Sequence, residues 1–593
     1  MLRRTVGILA VLSLASAAPL CQTASSSYDY IVVGGGTSGL VVANRLSENP
    51  NVSVLVIEAG DSVYNNANVT NVNGYGLAFG TPIDWQYQST NQTYAGNTRQ
   101  TLRAGKALGG TSTINGMAYT RAQDVQIDAW AAIGNDGWDW SSLWPYYLKS
   151  EAFTAPNQTQ RAAGASYNPA YHGVTGPLHV GFIEMQPNNL SSILNQTYQA
   201  LGVPWTEDVN GGKMRGYNFF PSTVDDAADV REDAARAYYY PFESRPNLRV
   251  MLNTLANRIV WKNETSGGNV TADGVEVTPL NGTVCRIQAN NEVILSAGSL
   301  RSPGILELSG VGNPSILNKY NIPVKVNLPT VGENMQDQMY NDASAEGYSA
   351  IAGTKSVAYP SVTDLFGNRT SAVAASVQNQ LAQYAEAAAN QSQGTMKASD
   401  LQRLFQIQYD LIFKQEVPIA EIITYPTGNT LAAGYWGLLP FARGSVHIAS
   451  ADPTVQPVIN PNYFMFDWDV QQQIGTAKFI RNLYKTAPLS SLVKNETEPG
   501  SAVPEGASDS VWEAWLKETY RSNFHPVGTA AIMPRSIGGV VDERLRVYGT
   551  ANVRVVDASV LPFQICGHLT STLYAVAERA SDFLKEDAAR LGN

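Results

Sequence analysis

A chain of 593 residues is too long for a single hydrophobic core, so its length predicts two or more domains. Charged residues make up 15% of the chain and hydrophobic residues 44%, which is typical of a globular protein with large buried cores. The net charge is −10 and the pI about 5.2, and no basic stripe is present, so we expect no binding of nucleic acid.

The first seventeen residues have the pattern of a secretory leader. A positive start, Met1-Leu-Arg-Arg, precedes an apolar run at 6–14 and a small-residue cleavage site, Ala15-Ser-Ala. The apolar run is too short to span a bilayer, and no later stretch is long and apolar enough. We therefore expect a signal peptide at 1–17 and a soluble, secreted, extracellular protein with no membrane partner.

Glycosylation sequons are frequent, which fits the secretory route and predicts a glycoprotein. Which of them carry glycans stays open, since a buried sequon remains bare. The N-x-S/T pattern occurs at Asn51, Asn68, Asn91, Asn157, Asn189, Asn195, Asn263, Asn269, Asn281, Asn368, Asn390 and Asn495.

The three cysteines, Cys21, Cys285 and Cys566, form neither a disulfide framework nor a metal-binding spacing. Cys21 falls just after the predicted cleavage site, in an expected tail. A bridge between Cys285 and Cys566 stays open, although we expect free, buried thiols. No metal site is predicted, and stability is expected to come mostly from the size of the core.

After the leader, the chain begins with a pattern typical of a dinucleotide site. Apolar runs at 30–33 and 52–57 predict buried strands, and 40–46 predicts a helix between them. The alternative is a glycine-rich turn in an ordinary α/β protein. The residues of the motif are Gly34, which permits a tight turn, Gly36, which lets backbone approach a pyrophosphate, Gly39, which lets the helix pack on the sheet, and Glu58, which can accept hydrogen bonds from a ribose.

The remaining elements suggest that the chain leaves this first domain, enters another and later contributes further segments to the first. A second small-residue stretch at 105–116 predicts backbone amides along a cofactor, with a plain loop and helix start as the alternative. Residues 151–229 are loop-rich and indicate another domain. Helices are expected at 128–150, at 231–238 within 230–240, and at 298–312, 372–409 and 571–587. Strands are expected at 248–260, 273–277, 293–295, 418–425, 444–449 and 553–559.

Histidine is scarce, and two of the five histidines have unusual surroundings. His525 lies between an apolar helix and a glycine turn, and His568 lies just before the last helix. Imidazole takes up protons readily near neutral pH, which makes both candidates for catalysis. A structural role is the simpler interpretation for His172, His179 and His447.

Four ordered motifs together carry a family resemblance: the glycine turn with Glu58, the stretches 105–116 and 298–312, and the paired late histidines. From about residue 29 to residue 587 the chain resembles the glucose–methanol–choline family of FAD-dependent alcohol oxidoreductases, and within it the fungal glucose dehydrogenases and glucose oxidases. The stretches 103–121 and 521–529 are most similar to the dehydrogenase branch.

The resemblance implies an α/β fold with a Rossmann-like FAD-binding domain assembled from discontinuous segments. It also implies an α+β substrate-binding domain built on an antiparallel sheet. We expect the first domain at 28–120, 230–335 and 530–590, and the second at 121–229 and 336–529.

The resemblance also implies roles for individual residues. His525 matches the catalytic base, His568 its partner, and Glu421 the carboxylate that orients that partner. Sugar-contacting positions are matched by Tyr75, Arg521, Asn523 and Trp436. Positions that contact FAD are matched by Gly34, Gly36, Thr37, Ser38, Gly39, Glu58, Thr111, Asn115, Gly116, Met117, Ala118, Ala256, Asp557, Ala558, Leu569 and Thr570.

Three positions depart from the family pattern. Gln338 stands where relatives often have histidine, and Ile423 replaces an aromatic residue of the oxidases. The loop at 432–436 has no acidic side chain beside Trp436, where some related dehydrogenases place a carboxylate. The last two departures bear on glucose as the substrate more than on the reaction type.

The resemblance therefore implies an FAD-dependent sugar (glucose) 1-dehydrogenase that gives a lactone and passes electrons to a quinone or other organic acceptor. The alternative is a glucose oxidase that reduces oxygen to peroxide. An aryl-alcohol oxidase and a flavin-bearing lyase are weaker alternatives, and a monomer or homodimer is expected.

Overall fold

The computed structural model describes Cys21, residues 27–185 and residues 187–591. The predicted signal peptide at 1–17 lies outside these residues. None of the described helices is long and apolar enough to cross a membrane.

The strands in chain order are β1 Ser27–Val33, β2 Val54–Ile57, β3 Tyr87–Gln88, β4 Thr101–Leu102, β5 Glu151–Phe153, β6 Leu178–Val180, β7 Gly216–Asn218, β8 Val224–Asp225, β9 Val230–Arg231, β10 Leu248–Met251, β11 Thr254–Ser266, β12 Asn269–Pro279, β13 Cys285–Leu295, β14 Val311–Gly312, β15 Val326–Asn327, β16 Met339–Gly347, β17 Ser356–Tyr359, β18 Ala420–Thr427, β19 Thr430–Gly437, β20 Ser445–His447, β21 Val458–Asn460, β22 Val493–Glu498, β23 Arg521–Ser522 and β24 Val553–Val555.

The helices are α1 Thr37–Leu46, α2 Ala67–Thr70, α3 Asp124–Ala132, α4 Trp140–Ser150, α5 Gln158–Ala162, α6 Leu190–Ala200, α7 Ala234–Tyr238, α8 Ser302–Leu308, α9 Pro314–Lys319, α10 Val362–Phe366, α11 Thr370–Gln391, α12 Ala398–Phe413, α13 Asp467–Lys485, α14 Asp509–Thr519 and α15 Leu569–Leu591.

The first of two large sheets holds the glycine motif. Its strand order is β10-β2-β1-β13-β12-β11, with β24 beside β13. Strands β10, β2, β1, β13 and β24 pair in parallel, and β11 to β13 form an antiparallel meander. The central strands are buried along nearly their whole length, since helices cover the parallel part. Helix α1 packs against α15, so the first and last long elements lie side by side.

The second large sheet is antiparallel, with the order β22-β16-β19-β18-β17-β7 and β23 beside β16. Its strands fall at 216–218 and within 339–522. This architecture confirms the predicted α/β fold with a discontinuous Rossmann-like part and an antiparallel part. The exact domain boundaries stay a prediction.

Several predicted elements were wrong in extent because turn residues interrupt them. The expected helix at 128–150 is α3 and α4, separated by a turn in which Gly134 and Gly137 have φ of +112° and +81°. The helical region at 372–409 is likewise α11 and α12, with Gly394 at φ +77° between them. The helix expected at 231–238 is reduced to α7, which begins after the N-cap Asp233.

The expectation of free, buried thiols was wrong for Cys285 and is confirmed for Cys566. Cys21 and Cys285 form a disulfide with a sulfur–sulfur distance of 2.09 Å, and Cys566 alone is a free, buried thiol. The backbone N–H of Cys21 donates to the carbonyl of Arg286 at 2.9 Å, which holds this residue beside the start of β13. The bridge that had stayed open between Cys285 and Cys566 is therefore absent.

Candidate active site

Residues of both large sheets line one cavity of about 550 Å³, a volume typical of ligand pockets. Among the predicted site residues, only Gly39 and Glu421 do not line it, and both lie directly behind residues that do. Those that line it are Gly34, Gly36, Thr37, Ser38, Glu58, Tyr75, Thr111, Asn115, Gly116, Met117, Ala118, Ala256, Trp436, Arg521, Asn523, His525, Asp557, Ala558, His568, Leu569 and Thr570. Their binding and catalytic roles stay predictions.

The glycine turn brings three backbone segments into close contact. Gly34 has φ +102°, and a Cβ there would lie 2.4 Å from the carbonyl oxygen of Ser296. A Cβ on Gly39 would lie 2.0 Å from the carbonyl oxygen of Gly34, so this position tolerates only glycine where α1 meets the sheet. A Cβ on Gly110 would lie 2.6 Å from the Cα of Gly36, which brings the second small-residue stretch onto the turn.

Glu58 organises the same turn through its carboxylate. Oε2 accepts a hydrogen bond from the N–H of Gly35 at 2.9 Å, and Oε1 accepts one from Gly60 at 2.8 Å. Burial raises the pKa of Glu58 to about 7, although these N–H groups favour its charged form. Each carboxylate oxygen keeps a second lone pair for the predicted ribose contact.

Asn115 and Asp557 stabilise the middle of the cavity. The amide of Asn115 donates to Thr570 at 3.3 Å and its oxygen accepts from buried Arg231 at 2.7 Å. Burial lowers the pKa of Arg231 to about 10. Asp557 accepts hydrogen bonds from Ser302 at 2.6 Å and from the N–H of Gly298 at 2.9 Å. Strand β24 ends at Val555, so the predicted strand at 553–559 was too long and Asp557 instead caps a short turn.

The cavity fits the dinucleotide part of FAD. The hydroxyls of Ser38, Ser296 and Ser299 are buried and have no hydrogen-bond partner among the described residues, and all three serines line the cavity near the glycine turn. Buried hydroxyls without partners are uncommon in native proteins, and a bound polar ligand would satisfy them. Gly36 is the N-cap of α1, and the N-terminus of a helix presents N–H groups of the kind that bind phosphates.

The two late histidines face each other at the other end of the cavity. The ring centroids of His525 and His568 are 5.4 Å apart and the rings are nearly perpendicular. Trp436 lies against both rings: its ring centroid is 6.5 Å from that of His525 and 5.7 Å from that of His568. Burial lowers the pKa of His525 well below 6.5, and the neighbouring charge of His568 lowers it further. His525 is therefore neutral near pH 7 and able to accept a proton.

Each histidine has its own buried partner. Nε2 of His568 lies 2.8 Å from Oε1 of Glu421, which is fully buried on β18. Nδ1 of His525 lies 2.8 Å from Oε1 of Gln338 and 3.1 Å from the amide nitrogen of Asn523. The loop that carries His525 is fixed by buried Asp337, which accepts hydrogen bonds from the N–H of His525 at 2.9 Å and from Ser522 at 2.5 Å.

The end of the cavity near Tyr75 carries a charged and aromatic cluster. The guanidinium of Arg521 lies 3.5 Å from the ring centroid of Tyr340, and the hydroxyl of Tyr340 donates to Oδ1 of Asp342 at 2.6 Å. A Cβ on Gly434 would lie 2.1 Å from that hydroxyl, so Tyr340 occupies the space that a side chain at 434 would need.

Sequence reasoning missed Asp342 and gave Gln338 little weight. Asp342 pairs with Gly434 across β16 and β19 and so supplies a carboxylate that the loop at 432–436 lacks. One signal was available, since Gln338, Tyr340 and Asp342 alternate, and alternate residues of a strand lie on one face. Recognising it required the pairing of β16 with β19, which lies about 90 residues further along the chain.

The other three histidines lie outside the cavity. His172 is held between Glu151 at 2.9 Å and Asp208 at 2.8 Å. His447 is held by two glutamates, Glu307 at 2.7 Å and Glu333 at 3.2 Å.

His179 lies 3.9 Å from each of two carboxylates, those of Asp225 and Glu232. These three side chains form a group of metal-ligand type, although no metal site was predicted. The group lies outside the residues that line the cavity.

Comparison with known proteins is consistent with this geometry. Residues 28–340 match the N-terminal model of the GMC oxidoreductase family, and residues 440–577 match the C-terminal one. A glucose oxidase-like protein, fsoC, from Humicola fuscoatra is 46% identical over 95% of this chain and 96% of its own. Glucose oxidase from Aspergillus carbonarius is 36% identical over 95% of this chain and 93% of its own.

Solved structures show the same fold. An FAD-dependent oxidoreductase from Chaetomium thermophilum superposes with a TM-score of 0.86 at 28% identity, over 95% of this chain and all of its own. A fungal aryl-alcohol oxidase superposes with a TM-score of 0.84 at 28% identity, with the same coverage. FAD is thus the cofactor of this protein, which is an oxidoreductase that acts on CH–OH donors. The chain belongs to the GMC oxidoreductase family.

Proposed function

We propose that this protein oxidises a sugar at its anomeric carbon and releases a lactone. The observation that carries the proposal is the pair of facing imidazoles at the end of the cavity, His525 and His568, with Arg521, Asn523 and Tyr75 in the same lining. Loss of a proton from the anomeric oxygen and of a hydride from the carbon converts the hemiacetal into the lactone. FAD supplies the hydride acceptor when bound.

His525 takes the proton from the anomeric hydroxyl. Its low pKa keeps a lone pair available near pH 7, and a positioned base of this kind contributes roughly 10²–10⁴-fold to the rate. His568 donates a hydrogen bond to the same oxygen and stabilises the negative charge that develops there. Because Nε2 of His568 is engaged by Glu421, its Nδ1 is the atom left for the substrate.

Recognition of the sugar hydroxyls falls to polar groups at the Tyr75 end of the cavity. Arg521 is an obligate donor, whereas Asp342 is an acceptor. Among the described residues, only Oδ1 of Asp342 makes a hydrogen bond, to Tyr340, so Oδ2 keeps its full accepting capacity. Asp342 therefore provides the carboxylate for sugar binding that the loop at 432–436 lacks. A carboxylate that accepts hydrogen bonds from hydroxyls favours a polyhydroxylated substrate over a simple aryl alcohol.

For the electron acceptor we propose a quinone or other organic oxidant, because the stretches 103–121 and 521–529 resemble the dehydrogenase branch. A glucose oxidase that reduces oxygen is the second candidate. It is favoured by the relatives from Aspergillus carbonarius and Penicillium chrysogenum, which are named glucose oxidases and are 36% and 33% identical to this chain.

One experiment tests the reaction and the acceptor. The purified holoenzyme is mixed without air with glucose, other aldoses or an aryl alcohol, and the visible absorbance of the flavin is followed. We expect bleaching by an aldose; bleaching by the aryl alcohol alone, or turnover without bleaching, contradicts sugar oxidation. On readmission of air, slow recovery of colour that a quinone accelerates supports the dehydrogenase, whereas fast recovery with peroxide supports the oxidase.

We further propose that the protein is secreted and glycosylated. The disulfide between Cys21 and Cys285 suits an oxidising compartment, and none of the twelve sequon asparagines is buried. Expression in a eukaryotic host tests this proposal. The mature protein is expected in the medium, beginning after Ala17 and losing mass on enzymatic deglycosylation; an intact leader on a cell-retained protein contradicts it.

A further inference from the structure

Gln338 is a fully buried amide whose two ends have different partners. Its Nε2 donates to the backbone carbonyl of Leu438 at 3.1 Å, and its Oε1 lies 2.8 Å from Nδ1 of His525. A carbonyl oxygen only accepts hydrogen bonds, so reversing the amide would set two oxygens against each other. The contact with Leu438 therefore keeps the oxygen of Gln338 directed at His525.

This contact determines where His525 carries its proton. An amide oxygen 2.8 Å from Nδ1 requires a hydrogen on that nitrogen, which leaves the lone pair of the neutral ring on Nε2. The amide nitrogen of Asn523 lies 3.4 Å from the same oxygen and 3.1 Å from Nδ1. Because a protonated Nδ1 cannot accept, the hydrogen of Asn523 goes to Gln338 and reinforces the same arrangement.

We propose that Gln338 is the positioning residue of His525, which fixes its tautomer and ring orientation so that Nε2 accepts the substrate proton. The role of His525 as the base rests on the proposed function. The assignment of its tautomer rests only on the contact with Gln338 and is independent of that function.

An amide suits this position better than a carboxylate. Glu421 places a carboxyl oxygen 2.8 Å from Nε2 of His568. Gln338 orients His525 through a neutral group, and so adds no charge that would favour the protonated ring. The two imidazoles, 5.4 Å apart, thus have different partners: His525 contacts the amide of Gln338, and His568 contacts the carboxyl group of Glu421.

Three substitutions at one position test the proposal. Gln338→Glu adds a carboxylate beside Nδ1 and is expected to raise the pKa of His525 by about 1–3 units. Gln338→Met removes the acceptor and is expected to mix the two tautomers. Gln338→His restores a ring nitrogen that can accept, and is expected to recover the wild-type tautomer.

The measurement is nuclear magnetic resonance of isotope-labelled histidine in the FAD-loaded protein, with His525 identified by the signal that His525→Ala lacks. In parallel, anaerobic flavin reduction is followed against pH. The acidic limb of the rate is expected to move upward in Gln338→Glu by the same amount as the pKa of His525. In Gln338→Met the rate is expected to fall, by less than the roughly 10²–10⁴-fold that loss of the base costs.

Gln408→Met serves as the matched control. Gln408 is also a buried amide, and its Nε2 donates to the carbonyls of Leu439 and Pro440 at 3.1 and 2.8 Å, but it does not line the cavity. The variant Gln408→Met is expected to lower the melting temperature, while the pKa and the tautomer of His525 stay those of the wild type.

The proposal is overturned if His525 carries its proton on Nε2 in the wild type. It is also overturned if its tautomer is unchanged in Gln338→Met and its pKa unchanged in Gln338→Glu. If no sugar reduces the flavin, the proposed function fails, and the resonance measurements still decide the role of Gln338.

Discussion

Gly434→Ala is expected to weaken sugar binding, although the substitution replaces no polar side chain. The new methyl carbon would lie 2.1 Å from the hydroxyl oxygen of Tyr340 and 2.7 Å from its ring, and real contacts of this kind stay above about 3 Å. Tyr340 must therefore move by about 1 Å or more. That movement separates its hydroxyl from Asp342, now at 2.6 Å, and its ring from the guanidinium of Arg521, now at 3.5 Å.

A hydrogen bond to a charged group contributes about 1.5–3 kcal/mol, and a cation–π contact about 0.5–2 kcal/mol. Because Tyr340 positions Asp342 and Arg521, its displacement is expected to cost the sugar one hydrogen bond to these charged groups, which predicts that the dissociation constant rises by roughly 10- to 150-fold. Stopped-flow flavin reduction against sugar concentration separates this constant from the limiting rate. The limiting rate should change less, because the two histidines do not contact Gly434.

Gly304→Ala is the matched control, because its new methyl carbon would meet only Ile448, at an ordinary 3.7 Å. An unchanged sugar dissociation constant in Gly434→Ala, with an intact melting temperature, would refute the assignment of Tyr340, Asp342 and Arg521 to sugar recognition.

Three further changes test other parts of the molecule. His525→Ala should keep bound FAD, measured by its absorbance, and lose roughly 10²–10⁴-fold in the rate of flavin reduction; near-normal turnover would remove it as the base. His447, whose pKa its two glutamates raise to about 10 against the cost of burial, should stabilise the fold fully below pH 6.5 and progressively less up to pH 10. The melting temperatures of wild type and His447→Gln should therefore converge over that range, and a constant gap would contradict the charged pair. Cys285→Ser opens a bridge that spans 264 residues and should cost on the order of 2–5 kcal/mol of stability, seen as a lower melting temperature at unchanged activity. An unchanged melting temperature would show that the bridge to Cys21 adds no stability.

The sequence allowed prediction of features that local patterns carry. The turn at Gly34 and Gly36 follows from spacing within one βαβ unit, and the structure has the strands and helix that the spacing requires. His525 and His568 were singled out by their neighbours, and the structure brings them to one cavity. Helix lengths were overestimated where glycines, such as Gly134, Gly137 and Gly394, adopt positive φ inside an otherwise continuous pattern.

Features that depend on long-range pairing could not be predicted. Gln338 and His525 are 187 residues apart, and their contact exists because β16 pairs with β23. Asp342 reaches the cavity through the register of β16 against β19. The link between Cys21 and Cys285 depends on where the chain before β1 runs, which no local pattern specifies.

The order of strands in the first sheet has a consequence for synthesis of the protein. Strand β1 leaves the ribosome early, yet its neighbour β13 follows more than 250 residues later, and β24 and α15 come last. Helix α1, which begins at the glycine turn, packs on α15, so the flavin site cannot close before the chain is almost complete. Contacts of such long range form slowly. Cofactor loading should therefore follow translation, and a chain truncated before β24 should retain no flavin, however intact its glycine motif.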